Sequence, residues 1–348
     1  MKKTHLAFSA LVIVMSFMKC KNKDSNIATI HENAFSKEII LKENRIITTE
    51  TINTQDIFVR DSFLVVNNSL NDSIFMVFNL NNFNCIKSWG IKGKGPGEYG
   101  TFKKLINISS DKFQIVDFSR YRIETYKIPE FKLKNSQKIH NKIPSGNREI
   151  PQNIASSNGV QYYYDNLFRH ELSIKKWKNN KEPITINDLD YFNDSYESSS
   201  FYTGVLALNE NQNKMVYAYN YFRRFDILNL DGKIITTVKV TPETASPAKR
   251  KSSNFLPKSP MCYMGIRAFD DRFFLYYVGH TPNALEKNNM LLPSYIEEYD
   301  WNGKPLKRYK LKRYVSNIDI IKKSNQPISF IGFDIANNNS IIIYNQDE

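Results

Sequence analysis

Cysteine is scarce in this chain of 348 residues, with only three, so no disulfide framework builds the fold. Glycine and proline, 13 of each, are too few for collagen-like or proline-rich sequence. Histidine is also sparse: of five, His5 lies in the leader, and His31, His140, His170 and His280 share no metal-ligand spacing. The chain has no CxxC pair, no HExxH and no GxSxG. Asp188, Asp190 and Asp194 approach a calcium loop, but Phe192 and Asn193 replace a ligand and the turn glycine. No metal or cofactor is therefore expected from local motifs. Helical periodicity is hard to find, and beyond the leader no run approaches the roughly 18–20 apolar residues of a membrane helix.

What the chain does have is aromatic and basic. It holds 23 Phe and 20 Tyr, 41% of its residues are hydrophobic, and Lys+Arg 48 against Asp+Glu 35 leaves a formal charge of +13. That composition belongs to a packed, globular protein rather than a disordered one. Lys2 and Lys3 precede an apolar run from Leu6 to Met18, and Cys20 follows, leading into a polar stretch. This is a secretory leader, read as residues 1–19. A Cys just past the apolar run makes Cys20 a candidate for lipid attachment, with 20–34 as the anchoring linker and 35–348 as the folded domain. An ordinary leader cleaved nearby, or an uncleaved anchor, is the alternative, because Lys19 stands where a small residue usually precedes such a Cys. Cys85 and Cys262 are then expected to remain two separate thiols.

From Ile39 onward, short β-branched and aromatic runs alternate in polarity and are separated by Asn, Asp, Gly and Ser clusters, the pattern of strands. Six such runs begin at Phe63, Phe113, Val160, Met215, Phe273 and Ser340, at intervals of 50, 47, 55, 58 and 67 residues. A second landmark keeps step: hairpin turns at Asn81-Asn82, Pro129-Glu130, Asn179-Asn180, Asp231-Gly232 and Asn302-Gly303. Such a rhythm predicts an all-β, six-bladed β-propeller with four-stranded blades. The sixth unit is read as stopping after its second strand, so Phe35–Leu41 and Ile46–Ile52 are expected to complete it and close the ring.

The stretch Trp89-Gly90, Gly93-Lys94-Gly95-Pro96-Gly97-Glu98-Tyr99, Gln114-Ile115-Val116-Asp117 and Arg122-Ile123-Glu124-Thr125-Tyr126 resembles one NHL repeat. With the leader, it is similar to the TolB-like six-bladed propeller lipoproteins of bacterial envelopes. That resemblance implies a lipid-anchored propeller of mostly undefined activity. The Gly-rich segment reads either as an anion nest or as a tight turn between blades, and the turn is favoured because no P-loop Lys or helix follows. Asp117 and Arg122 read as a structural pair bracing two strands.

In this scheme the loops within hairpins 1–2 and 3–4 are tight, and long segments such as 241–260, 280–293 and 312–328 gather on the opposite face. The loops assigned to that face hold an excess of ten positive charges. Lys94, Arg120, Arg122, Arg169, Arg223, Arg224, Lys249, Arg250 and Lys251 are its candidate binding residues, favouring an acidic glycan or an anionic protein partner. The same charges read equally as a solvated surface. Nucleic acid is disfavoured for a secreted chain. The function expected is a non-enzymatic binding or scaffold propeller at the cell envelope, anchored to the membrane by its N-terminal lipid. The alternative is a metal-dependent hydrolase or lyase with its site at the mouth of the central channel.

Overall fold

The computed structural model describes residues 26–346 apart from 49–53, 69–72, 139–150, 158–159, 166–172, 179–183, 189–201, 243–257, 323–325, 337–339 and the single positions 102, 110, 121 and 335. The described chain opens with two strands, β1 (Asn26–His31) and β2 (Lys37–Thr48), joined through a 3-10 turn at Glu32–Ala34. Blade I follows as β3 (Thr54–Arg60), β4 (Phe63–Asn68), β5 (Phe75–Asn79) and β6 (Cys85–Trp89). Blade II is β7 (Lys103–Ser109), β8 (Lys112–Asp117), β9 (Arg122–Lys127) and β10 (Lys132–Lys138). Blade III is β11 (Pro151–Ser157), β12 (Val160–Asp165), β13 (Ser173–Lys178) and β14 (Ile184–Asp188). Blade IV is β15 (Gly204–Asn209), β16 (Lys214–Tyr219), β17 (Arg224–Asn229) and β18 (Ile234–Thr241). Blade V is β19 (Tyr263–Ala268), β20 (Arg272–Tyr277), β21 (Ser294–Asp300) and β22 (Pro305–Leu311), with the short helix α1 (Pro282–Lys287) between its second and third strands. Blade VI has β23 (Ser316–Ile321), β24 (Ser329–Asp334) and β25 (Ser340–Gln346), with β2 outside β25.

The ring is visible in its cores. Side chains alternate across a strand, so each blade gives one set of residues to the blade before it and the other set to the blade after. In β16, Met215, Tyr217 and Tyr219 pack with Tyr162 and Ile174 of blade III, whereas Val216 and Ala218 pack with Tyr263 and Phe273 of blade V. The buried hydrophobic residues fall into six clusters, one in each gap from I–II round to VI–I. The last gap joins Leu64, Val66 and Phe78 to Ile331, Phe333 and Ile341, which closes the circle.

Closure differs in detail from the sequence reading. The run at Ser340 is the third strand of its blade, not the second; the second is β24 and the first is β23, inside the segment taken for a long loop at 312–328. Counted from Ser329, the long last interval falls back into line with the others. Phe35–Leu41 and the described part of Ile46–Ile52, which ends at Thr48, are not two strands either; 49–52 lie outside the described residues. One strand, β2, runs parallel to β22 over Lys37–Ile40 and then antiparallel to β25 over Leu41–Thr48. Residues 26–34, assigned to a linker, belong to the propeller, because β1 adds a parallel fifth strand to blade IV beside β18. The N-terminal segment is thus a belt laid across the outer edges of blades IV, V and VI.

Every blade carries a register shift between its third and fourth strands, as between Val77 and Phe78 against β6 or between Ile227 and Leu228 against β18. Such bulges twist an edge away from unwanted pairing. The turns Asp231-Gly232 and Asn302-Gly303 are the expected hairpins, with Gly232 and Gly303 at φ of +88° and +85°. Asn179-Asn180 lies outside the described residues. Cys85 is exposed in blade I and Cys262 is buried at the entry to blade V, both as free thiols. Among the described residues no helix is long and apolar enough to cross a membrane.

Candidate functional site

The candidate residues on the long-loop face divide sharply by environment. Cys20, Arg169, Lys249, Arg250 and Lys251 lie outside the described residues. Lys94 is exposed at the tip of the Gly-rich loop. That loop is filled from within: the Glu98 carboxylate turns back to accept from the Gly95 amide and occupies the space that a Cβ on Gly93 would need. An anion nest is therefore present in form, but the chain's own carboxylate sits in it. Arg120 donates to the Gly93 carbonyl. Arg122 lies 4.7 Å over the Tyr99 ring, donates to the Glu98 carbonyl at 3.1 Å and pairs with Glu124 at 3.2 Å. Asp117 stands opposite Arg122 in the ladder but is its more distant partner, at 4.0 Å.

Arg223 and Arg224 are a correction to the binding-face reading. Arg223 is 1% exposed, donates to Glu297 at 2.7 Å and to Glu32 at 2.8 Å, and lies 4.3 Å over the Tyr277 ring. Arg224 is buried, bonds Asp226 at 3.1 Å and covers the Tyr219 ring. Neither presents its guanidinium to solvent: the buried ring carboxylates Glu297 and Asp226 neutralise them, and the half-exposed belt residue Glu32 adds to Arg223. Three belt carboxylates meet arginines in this way: Glu32 meets Arg223 and Arg308, Glu38 meets Arg308, and Glu43 meets Arg313 at 2.8 Å. Arg313 belonged to the same predicted basic surface. Lys322, also assigned to that face, follows β23 and lies at the tight-turn end beside Asp271.

The concave site lies at the axis. A cavity of about 540 Å³ is lined by the first strands of all six blades, a volume in the range of small-molecule sites. Blades II to VI all contribute apolar residues, among them Leu105, Ile154, Leu206, Ile266 and Ile318, and the charged Asp56, Lys104 and Arg267 come from blades I, II and V. Arg60, Glu210, Asp270 and Lys322 stand at the tight-turn end.

Asp56 of the channel and the buried Asp319 act as struts between blades. Asp56 accepts from its neighbour's amide at Leu105, 2.8 Å away, and from Ile57 at 3.0 Å. Asp319 accepts from the Val59 amide at 2.6 Å and from Arg267 Nε at 2.5 Å. Arg267 Nη2 reaches on to the Ile57 carbonyl at 3.1 Å, so blades V, VI and I are tied across the closing seam.

Burial pushes the Asp56 carboxyl above its ordinary value of 3.8, and Lys104 and Arg267 offset this only in part. Burial likewise lowers the Lys104 ammonium from 10.5, against the pull of Asp56. For Arg267, burial works against the charged form, yet Asp319 and Asp56 outweigh it and hold the guanidinium above its ordinary range. Among the described residues no group of three His, Cys, Asp or Glu side chains gathers to hold a metal ion. The sequence reading did not single out any of these four residues. The cue available was charge within four otherwise strand-like first strands: Asp56 and Arg60 in β3, Lys103 and Lys104 in β7, Arg267 in β19 and Asp319 in β23.

Comparison with known proteins fits this architecture. The model of the family "TolB-like 6-blade propeller-like" matches residues 34–323. A solved structure of a DUF4221-family member from Bacteroides vulgatus superposes with a TM-score of 0.60 at 9% identity, covering 88% of this chain and 97% of its own. A second, from Bacteroides fragilis and named as a candidate exported protein, superposes with a TM-score of 0.55 at 13% identity, covering 93% of this chain and 100% of its own. At these identities the likeness is one of fold. No curated protein matches the chain.

Proposed function

The chain belongs to the TolB-like six-bladed propeller family, and on that premise we propose that it is a non-enzymatic binding propeller of the bacterial cell envelope. Cys20 carries the lipid that holds it to the membrane. Its ligand is anionic, an acidic glycan or an acidic surface of a partner protein, and enters from the long-loop side. The observation that carries this reading is the central cavity, which sets the charged groups of blades I, II and V among apolar residues, an arrangement suited to orienting an amphipathic ligand. Lys104 lines it near the long-loop end, and exposed Lys92 and Lys94 stand on a loop of that face. These lysines replace Arg223 and Arg224 as the basic determinants.

The hydrolase or lyase alternative gains no support, since Asp56 and Asp319 already serve the amides of neighbouring blades and Arg267. The test is calorimetric titration of the purified lipoprotein with an oligogalacturonate. Binding should weaken with salt and fall at least tenfold on changing Lys94 and Lys104 to Glu and Met. Equal binding by that variant overturns the site; no binding of any polyanion overturns the ligand class. Palmitate labelling of the wild type but not of Cys20→Ala checks the anchor.

A further inference from the structure

The outer edges of the blades are not treated alike. Blade IV receives a fifth strand, β1, parallel to β18 from Asn26↔Thr236 to His31↔Thr241. Blade V receives the first part of β2, parallel to β22 from Lys37↔Lys307 to Ile40↔Lys310. The turn joining them is short, and one carboxylate from it and one from β2 answer the basic strand β22: Glu32 is 3.7 Å and Glu38 3.8 Å from Arg308. The fold therefore contains two worked examples of strand addition to a blade edge, one of them on a basic outer strand whose arginine meets carboxylates of the added segment.

Among the described residues, blades I, II and III end in β6, β10 and β14 with no added strand. Of these, β6 is short and sends Lys87 to the Phe131 carbonyl of the next blade, and β14 leans on blade IV through Asn187 and the Gly232 carbonyl. In contrast, β10 runs for seven residues, all exposed, and is basic: Lys132-Leu133-Lys134-Asn135-Ser136-Gln137-Lys138. Like β22, with Leu306, Lys307 and Lys310, it begins with an aliphatic residue among lysines just after its hairpin. Lysines on an edge can also serve only to repel other strands. Yet β22 carries Lys307, Arg308 and Lys310 and is paired all the same.

We propose that the free edge of β10 accepts an extended acidic segment of a partner protein as a parallel fifth strand, as β22 accepts the belt. Main-chain hydrogen bonds supply the affinity and the lysines select for acid. This surface is distinct from the channel, and its test does not depend on the anionic ligand proposed there.

The probe is a heptapeptide of alternating Glu and Val, added to the full-length protein and followed by hydrogen exchange. Exchange of alternate amides within residues 132–138 should slow at least fivefold. The effect should vanish for the same peptide N-methylated at every residue, which keeps the charge but removes the donors. It should vanish also for the protein with Lys132, Lys134 and Lys138 changed to Glu. Protection confined to other strands, no protection at all, or equal protection by the N-methylated peptide overturns the proposal.

Discussion

Changing Arg223 to Met separates a ligand-binding arginine from one that holds the ring together. In the folded protein the Arg223 guanidinium is 1% exposed and meets Glu297, which is fully buried, at 2.7 Å. Removing one partner of a buried ion pair destabilises by about 3–5 kcal/mol, because the other charge is left in a poorly solvating interior. Glu297 would keep hydrogen bonds from Tyr263 at 3.1 Å and Tyr299 at 2.7 Å, and Arg308 stands 3.5 Å away. The loss should therefore sit at the low end, about 3 kcal/mol. Glu32, 45% exposed, adds little, and Glu32→Gln alone should cost under about 1 kcal/mol. The double variant Arg223→Met, Glu297→Met should recover part of the loss, since no buried carboxylate is then stranded. Urea unfolding of the four proteins at pH 7 measures all of this. If Arg223→Met unfolds within about 1 kcal/mol of wild type, or if the double variant is the least stable, the assignment of Arg223 to the belt is wrong.

Three other outcomes follow from the same geometry. Gly303→Ala should lower stability by about 1–3 kcal/mol, because the residue has a φ of +85° and a Cβ would come within 2.7 Å of Val238 Cγ2 in blade IV. Gly97→Ala, at φ +78° with open space around it, should lose only about 1 kcal/mol, so equal losses in thermal melts would refute the packing component. A raised folded pKa means that the folded state holds the Asp56 proton to higher pH than the unfolded state does. The stability of wild type relative to Asp56→Asn should hence be greatest below pH 3.8, decline as pH rises through the folded pKa, and stay level above it. A difference that grows with pH in urea titrations would contradict the assignment. A chain lacking residues 26–34 should fold but lose about 2–4 kcal/mol, as β1 and the Glu32 pairs go with them. Unchanged unfolding would return this segment to the status of a linker.

The fold was legible because the second strand of each of the first five blades is a compact buried run whose alternate faces serve two cores, as in Phe273–Tyr277. Blade VI misled for a local reason. Gly332 interrupts β24, and it is Gly because Val315 would lie 2.8 Å from a Cβ there, so the run lost its β-branched signature. The charged residues were less readable. Arg224 and Asp226, like Arg122 and Glu124, sit two apart on one face of a strand, and that spacing was an available sign that they pair with each other. Nothing local marks Arg223, whose partners Glu32 and Glu297 are 191 and 74 residues away. Asp319 and the channel residues Asp56, Lys104 and Arg267 were hidden for a similar reason: they come from four blades and meet only when the ring is shut.

That β2 pairs with β25 sets an order of events. The earliest-made strand of blade VI must wait for the latest-made one, nearly three hundred residues on, so most of the polypeptide has to be synthesised before the circle can join. Contacts of such separation slow the final step and leave the waiting edges open to strangers. A protein assembled this way would need protection for its two loose ends until they meet.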